Sequence, residues 1–419
     1  MTELVVKGGR PLNGTALVPA AKNSVLPLMA ASLLVHGVVH LKQVPMLADV
    51  KTSMDILQSL GAKVAWTEEK LSICADGLTS EVLEQQQMSA MRSSIFYVAP
   101  LLCRQGRVEF GPPGGCKLGS RPIDIHLDGL KALGAKVQEN EHTITCTAPK
   151  GLTGCYFKLR LPSVGATETL LMAACTAKGK TTLANVATEP EVCDLAVFLN
   201  SCGAKITGAG TGVIHIIGVP QLVGCTYIPM PDRITATTLL CAVAATGGSV
   251  DILNARIFHL CPVIAALRSA GAQINQPEKD VLRITVKEPL CGIGKISTAP
   301  YPGFATDASP LLAAALLTAG DTTIKDTIFE NRFACARQFN KMGAKTSVRR
   351  NCIKIEPVCG LHGAKVKAPD LRGGAAIVIA ALAATGESRI RGLEHIERGY
   401  ADIAGLFRAL GAEIEEHSN

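Results

Sequence analysis

The sequence is poor in aromatic side chains: Phe, Trp and Tyr make up 4% of 419 residues, with a single Trp. A core must therefore be built from Ala, Leu, Ile and Val, and the aromatic platforms of single-strand nucleic-acid binders are lacking. Charged residues reach only 18%, and no run of Lys and Arg forms a basic patch. The net charge of +7 suits small anionic substrates as well as a nucleic acid, but no patch marks a nucleic-acid surface. Neither CxxC nor HExxH occurs among 15 cysteines and 9 histidines, which excludes the common metal-site spacings. Most cysteines, such as Cys175, Cys241 and Cys335, lie in Ala- and Leu-rich stretches. They read as reduced thiols used as small core residues in a cytosol, not as a disulfide framework. Apolar stretches such as Leu26 to Val35 are about ten residues long, too short to span a bilayer. The opening Met-Thr-Glu-Leu-Val-Val-Lys lacks the basic-then-apolar layout of a secretory leader. The expectation is a cytoplasmic protein with no cofactor, no nucleic acid, no membrane and no obligatory protein partner.

What is present in abundance is repetition. The phrase Leu57-Gln-Ser-Leu-Gly-Ala-Lys-Val64 returns as Leu130-Lys-Ala-Leu-Gly-Ala-Lys-Val137, Leu199-Asn-Ser-Cys-Gly-Ala-Lys-Ile206, Leu267-Arg-Ser-Ala-Gly-Ala-Gln-Ile274, Phe339-Asn-Lys-Met-Gly-Ala-Lys-Thr346 and Phe407-Arg-Ala-Leu-Gly-Ala-Glu-Ile414. Its glycines are 68 to 73 residues apart, so six units account for the whole chain. A second glycine precedes each phrase: Gly37, Gly106, Gly179, Gly247, Gly320 and Gly386. An apolar helical run ends at that glycine and a β-rich run follows it, as in Thr181-Thr-Leu and Thr322-Thr-Ile. Each unit reads helix, Gly cap, strand, loop, helix, Gly cap, strand, hairpin. The first helices are apolar nearly all round, which predicts helices inside and sheets outside. One core around six buried helices would be oversized, so two domains of three units are predicted, joined near Pro229-Met-Pro-Asp232. Gly208-Ala-Gly-Thr-Gly212 resembles a phosphate loop, but a Val-Ile-His-Ile-Ile strand follows it, so a hairpin turn is predicted.

The symmetry also points to a site. The residues that open the first helix of each unit are Lys22-Asn23, Arg92, Ser163, Asp232-Arg233, Asp307 and Asp370-Leu-Arg372. In a three-fold arrangement these helix starts converge, and free N–H groups there attract phosphate or carboxylate. Asp and Ser at such positions also serve as ordinary N-caps. Lys22, Arg92 and Arg372 oppose the helix dipole, and an anionic ligand supplies the reason for them. Cys116 differs from the other cysteines. It sits in Gly111-Pro-Pro-Gly-Gly-Cys-Lys-Leu-Gly-Ser-Arg121, a stretch without apolar periodicity. Lys117 and Arg121 nearby would lower the thiol pKa, fitting it for work as a general acid or a nucleophile.

From the first residues to Ala412 the chain resembles the UDP-N-acetylglucosamine 1-carboxyvinyltransferase family of enolpyruvyl transferases. The resemblance rests on Ala21-Lys-Asn23, Met91-Arg-Ser-Ser94, Gly114-Gly-Cys-Lys-Leu-Gly-Ser-Arg-Pro122, Ser163-Val-Gly-Ala166, Glu189-Pro-Glu191, Asp232-Arg-Ile234, Thr306-Asp307, Phe329-Glu-Asn-Arg-Phe333, Asp370-Leu-Arg372 and His395-Ile-Glu-Arg-Gly-Tyr400. It implies an α/β fold of two inside-out domains, each of three βαβαββ repeats with buried helices and outer sheets. The domains would be 21–230, carrying the Cys116 loop, and 1–20 plus 231–419, with the active site in the cleft between them. It implies transfer of the enolpyruvyl group of phosphoenolpyruvate to the 3-hydroxyl of UDP-N-acetylglucosamine, the first committed step of peptidoglycan synthesis. Cys116 would be the acid that protonates the enol carbon, able also to form a covalent adduct and to react with the epoxide fosfomycin. Asp307 would be the base, and Lys22, Arg92, Arg121 and Arg398 would hold phosphoenolpyruvate. Asn23, Arg121, Pro122, Ser163, Val164, Gly165 and Asp307 would hold the nucleotide sugar. Glu189, Asp232, Phe329, Asp370, Leu371 and Arg372 complete the implied substrate contacts. Three departures stand out: Thr235-Ala-Thr237 after Ile234, Ala-Ser-Pro after Asp307, and Leu161-Pro162 before Ser163. Two other readings remain, enolpyruvyl transfer to shikimate 3-phosphate and a non-catalytic regulator that binds UDP-N-acetylglucosamine.

Overall fold

The twelve repeat glycines, Gly37 to Gly411, all have positive φ, between 74° and 122°. Gly106 shows why. It ends the helix Val98–Gln105 with its N–H on the Leu102 carbonyl at 2.9 Å and a φ of 74°, a conformation that costs a residue bearing a Cβ about 1–2 kcal/mol. These turns lead the chain into the outer strands, so the glycines set the rhythm of the fold.

A computed structural model describes residues 2–114 and 122–418. They form two compact units, one of residues 20–114 and 122–230, the other of residues 2–19 and 231–418. In the first unit three four-stranded sheets share one plan. The third repeat shows it: Tyr156–Lys158 pairs in parallel with Lys180–Ala184, which pairs antiparallel with Val213–Ile217, which closes a hairpin with Lys205–Thr207. The Gly208 to Gly212 segment is the turn of that hairpin, as its sequence predicts. The second repeat repeats the order with Val82–Leu83, Arg107–Phe110, Ile144–Thr147 and Lys136–Glu139. The first repeat borrows its leading strand. Thr226–Tyr227, from the far end of the unit, pairs in parallel with Val38–Lys42.

The second unit borrows twice. Leu12–Leu17 serves as leading strand to Gly248–Leu253, in parallel register. Thr2–Lys7 lies between Glu387–Arg391 and Glu413–Ser418, antiparallel to both, and so supplies the last strand of the sixth repeat. The N-terminal segment thus belongs with residues 231–418 although 211 residues separate them in the chain.

Each unit has its own aliphatic core. In the second, Arg233–Thr246, Ser309–Ala315 and Leu371–Ala383 touch one another. Every residue from Ile234 to Ala244, and from Arg372 to Leu382, is buried. Helices buried on all sides need side chains that fill space without polar atoms, and runs such as Leu311-Leu-Ala-Ala-Ala315 do this while allowing close approach. Burying one Leu contributes about 1.5–3 kcal/mol. In the first unit Lys22–Ala31 and Val164–Ala174 play the same part, packed against the neighbouring helices Pro190–Ser201 and Asp124–Ala132.

Candidate active site

In the first unit the helix Lys22–Ala31 starts without a side-chain cap, and Lys22 meets Asp49 at 2.6 Å with both side chains at least nine-tenths buried. Asp49 lies in the first turn of Ala48–Ser59, where a carboxylate also favours the helix dipole. Asn23, beside Lys22, is exposed. Arg92 opens the short 3-10 turn Arg92–Tyr97 and is half-buried. Its charge bears on His126, which is buried with Nδ1 3.0 Å from the Thr169 hydroxyl. Burial first, and then Arg92, push the His126 pKa down to about 4 against the pull of Asp124, so the imidazole is neutral at pH 7. Ser163 caps Val164–Ala174 through its hydroxyl, which accepts from the Ala166 N–H at 3.4 Å. Val164 and Gly165 form the first turn of that helix. A Cβ on Gly165 would stand 3.3 Å from the His126 ring, so the missing side chain makes room for the imidazole.

Two acids in this unit are deeply placed. Glu168 is 1% exposed, and burial, reinforced by Glu191 and Glu189, raises its carboxyl well above the usual range. Burial there disfavours the charged form of the carboxyl. Glu189 is half-buried as N-cap of Pro190–Ser201. Asp194, on the same helix, gathers the Ser24 hydroxyl, the Tyr227 hydroxyl at 2.7 Å and the Met230 N–H at 3.1 Å. This carboxylate ties the first helix of the unit to its borrowed strand. Pro122 is exposed; Cys116 and Arg121 lie outside the described residues.

The second unit brings three helix starts together. Asp232 caps Arg233–Thr246 by accepting from the Ile234 and Thr235 N–H groups at 2.7 and 3.3 Å. Asp370 caps Leu371–Ala383 by accepting from Arg372 and Gly373 at 3.0 and 2.9 Å. Both are thus N-caps, whatever else they do. Asp307 lies in the turn Thr306–Ala308 ahead of Ser309–Ala315. Its two oxygens take different guanidiniums, Arg332 at 2.8 Å and Arg372 at 3.1 Å. Burial alone would raise the Asp307 carboxyl; Arg372 and Arg332 outweigh it and hold the group well below the usual carboxylate range. Asp307 is therefore ionised at every working pH, a strong hydrogen-bond acceptor with low intrinsic proton affinity.

Arg332 is itself held. Only 1% of its side chain is exposed, its Nε donates to Thr306 at 3.0 Å, and it lies over the Phe329 ring at 4.9 Å. Beneath it Asp326, with no exposed surface, accepts from Thr306 at 2.6 Å, Ser309 at 3.1 Å, and the Ile328 and Phe329 N–H groups at 2.9 and 2.8 Å. Phe329 is half-buried, and Arg398 is half-buried in the turn after Leu393–Ile396. Leu371, in the first turn of its helix, is half-buried.

The sequence reading assigned the cations at the helix starts to an anionic ligand. The structure sets protein carboxylates against two of them, Asp49 against Lys22 and Asp307 against Arg372, because buried cations require local counter-charge. Five residues of these clusters were not singled out from sequence: Asp49, His126, Glu168, Asp326 and Arg332. Arg332 sits in the quoted Phe329-Glu-Asn-Arg-Phe333 motif and was findable as its one cation. Asp49 and Asp326 look like any helix-start or turn acid. Among the described residues no group of three or more His, Cys, Asp or Glu side chains is arranged to hold a metal ion.

The chain is similar throughout its length to known proteins. The sequence model of the EPSP synthase family (3-phosphoshikimate 1-carboxyvinyltransferase) matches residues 6–406. UDP-N-acetylglucosamine 1-carboxyvinyltransferase 2 of Carboxydothermus hydrogenoformans is 44% identical over all of both chains. UDP-N-acetylglucosamine 1-carboxyvinyltransferase of Finegoldia magna is 42% identical over 99% of each. Among solved structures, the enolpyruvyl transferase NikO from Streptomyces tendae superposes with a TM-score of 0.88 at 24% identity, covering 100% of this chain and 99% of the other. EPSP synthase from Acinetobacter baumannii gives 0.79 at 20% identity over the whole of both chains. The fold is therefore the two-domain enolpyruvyl transferase fold, and the chain belongs to the UDP-N-acetylglucosamine 1-carboxyvinyltransferases within the EPSP synthase family.

Proposed function

We propose that this protein transfers the enolpyruvyl group of phosphoenolpyruvate to the 3-hydroxyl of UDP-N-acetylglucosamine and releases phosphate. In this reading it works in the cytoplasm at the first committed step of peptidoglycan synthesis, and cell shape and division depend on it. The observation that carries the reading is Asp307, a carboxylate kept charged by Arg332 and Arg372 where helix starts meet, in a chain with full-length relatives of that name.

The roles follow from charge. Phosphoenolpyruvate brings about three negative charges, which need several fixed cations; Lys22, Arg92, Arg121 and Arg398 supply them. Cys116 gives its proton to the enol methylene carbon, and the sugar hydroxyl oxygen attacks the adjacent carbon. Asp307 accepts that hydroxyl's hydrogen bond and takes the proton as charge leaves the oxygen. Its low proton affinity makes it an orienting acceptor first and a base only at the transition state. Phosphate then leaves with the proton held by Asp307, and one methyl proton passes back to the Cys116 thiolate, which restores the double bond and both side chains. Asn23, Pro122, the Ser163 to Gly165 turn, Glu189, Asp232, Phe329, Asp370 and Leu371 would line the nucleotide-sugar side.

The test is phosphate release from phosphoenolpyruvate with each acceptor. Release with UDP-N-acetylglucosamine supports the reading. Release with shikimate 3-phosphate alone overturns the acceptor, and release with neither favours a regulatory binder. Fosfomycin should add covalently at Cys116, seen by intact mass; Cys116→Asp should keep turnover and lose the adduct.

A further inference from the structure

Among the described cysteines, Cys202 and Cys225 meet each other. The helix Pro190–Ser201 ends at Cys202, whose N–H bonds back to the Phe198 and Leu199 carbonyls at 3.1 and 3.0 Å. The chain then makes the hairpin of Lys205–Thr207 and Val213–Ile217 and returns. On its return the Val223 N–H donates to the Cys202 carbonyl at 2.9 Å, which pins the returning strand beside the helix end. Two residues later the Cys225 Sγ lies 3.3 Å from the Cys202 Sγ. A disulfide needs about 2.05 Å, so closing the bond asks for a little over 1 Å of side-chain motion.

The two thiols differ in setting. Cys202 has no exposed surface, whereas Cys225 is half-buried. Either sulfur can donate in the S–H···S contact, and the buried Cys202, which keeps its proton, can donate to the more accessible Cys225. That contact pulls the Cys225 pKa down, while Cys202 is pushed up by the same contact and by burial. The more accessible sulfur is thereby the better nucleophile, with a resolving thiol already in contact.

We propose that Cys202 and Cys225 form an oxidation site that a hydroperoxide closes to a disulfide. The Cys225 thiolate attacks one peroxide oxygen; the O–O bond breaks and the leaving oxygen departs as hydroxide, which takes up a proton. Cys225 is then a sulfenic acid. The Cys202 sulfur attacks the Cys225 sulfur, the S–O bond breaks, and the departing hydroxide takes the Cys202 proton to become water. Two thiols have lost two electrons and two protons, and hydrogen peroxide has become two waters. A dithiol reductant reverses the change. The bond would join the end of Pro190–Ser201 to the strand Thr226–Tyr227, and Tyr227 already reaches Asp194 on that helix at 2.7 Å. Closure therefore locks an arrangement that the reduced protein adopts. It is independent of the reaction proposed above, and its test reads thiols, not turnover.

The reduced full-length protein is treated with one to a few equivalents of hydrogen peroxide, quenched with N-ethylmaleimide and digested without reductant. The expected result is a cross-linked peptide pair holding Cys202 and Cys225, about 2 Da lighter than the two free peptides together and split by dithiothreitol. The oxidised protein should unfold at a higher temperature than the reduced one, and neither Cys225→Ser nor Cys202→Ser should show that rise. Recovery of both cysteines as maleimide adducts while Cys116 is oxidised would overturn the proposal. So would separate sulfinic acids at the two positions, or a disulfide from either one to a different cysteine. If Cys202→Ser fails to fold, Cys225→Ser alone decides the thermal comparison and the peptide map still stands.

Discussion

Asp307→Asn is the most informative single change. Asn keeps the shape and removes the charge, so two guanidiniums lose their shared counter-ion. Arg332 and Arg372 are 1% and 7% exposed, which leaves them poorly solvated once unpaired. Breaking a fully buried ion pair costs about 3–5 kcal/mol. Asp307 is 26% exposed, and Arg332 retains Asp326 at 3.9 Å and Thr306 at 3.0 Å. Those two facts lower the expectation to about 1–3 kcal/mol. For a chain of 419 residues that is a fall in unfolding midpoint of about 1–4 °C. The protein should stay folded at 25 °C, so chemistry can be read separately. If Asp307 receives the hydroxyl proton, kcat should fall by about 100- to 10,000-fold. Loss of the base, a role taken up only in the transition state, lowers kcat and kcat/KM together, and because Asp307 orients the sugar hydroxyl it leaves KM for phosphoenolpyruvate near its parent value. Thermal unfolding and steady-state phosphate release on the same preparations measure both effects. A variant destabilised as calculated but turning over within tenfold of the parent would refute the base assignment and leave Asp307 a structural counter-ion.

Three further outcomes follow from the geometry. Asp326→Ala removes the buried acceptor of two hydroxyls and two N–H groups, and it should destabilise by about 3–5 kcal/mol in chemical denaturation; a change under 1 kcal/mol would show that the network is not as drawn. His126 is held neutral, with its folded pKa near 4 against 6.5 when unfolded, so the unfolded chain binds the extra proton first and stability falls as pH drops from 6.5 towards 4. The loss approaches about 3 kcal/mol at roughly 1.4 kcal/mol per pH unit, and His126→Asn should flatten that limb of the stability–pH curve. Gly248→Ala would place a Cβ 2.0 Å from the Leu12 carbonyl oxygen, whereas Gly179→Ala meets nothing within 4 Å. The second should cost only the backbone strain of about 1–2 kcal/mol, the first enough to part Leu12–Leu17 from its neighbour. Similar unfolding midpoints for the two variants would contradict the parallel pairing of those strands.

Much of the fold was legible because its signals are local. A helix apolar on every face has to be buried, and a glycine at positive φ has to follow it; both repeat six times in the sequence. The order of the residues that open the helices was legible too, and Ser163, Asp232 and Asp370 prove to cap the helices that they precede. The strand exchange was not. Thr2–Lys7, Leu12–Leu17 and Thr226–Tyr227 carry no pattern that names their distant partners, since backbone pairing is nearly blind to side-chain identity.

The candidate site divides in the same way. Lys22, Arg92, Asp307 and Arg372 stood out as residue types at repeated positions, Cys116 stood out in its glycine-rich stretch beside Arg121, and the family resemblance added Arg398. The partners that tune them did not stand out, because Asp49, His126, Asp326 and Arg332 are ordinary residues until folding buries them beside a charge. Sequence by itself determined the six-fold repeat, the aliphatic cores and the residues that open the helices, all of which depend on spacing and composition along the chain. Only the tertiary structure decided which strands close each unit, which carboxylate faces which cation, and in which direction the proton affinities of Asp307, His126 and Glu168 move. Proton affinity is set by burial and by neighbours in space, and neither exists before the chain has folded.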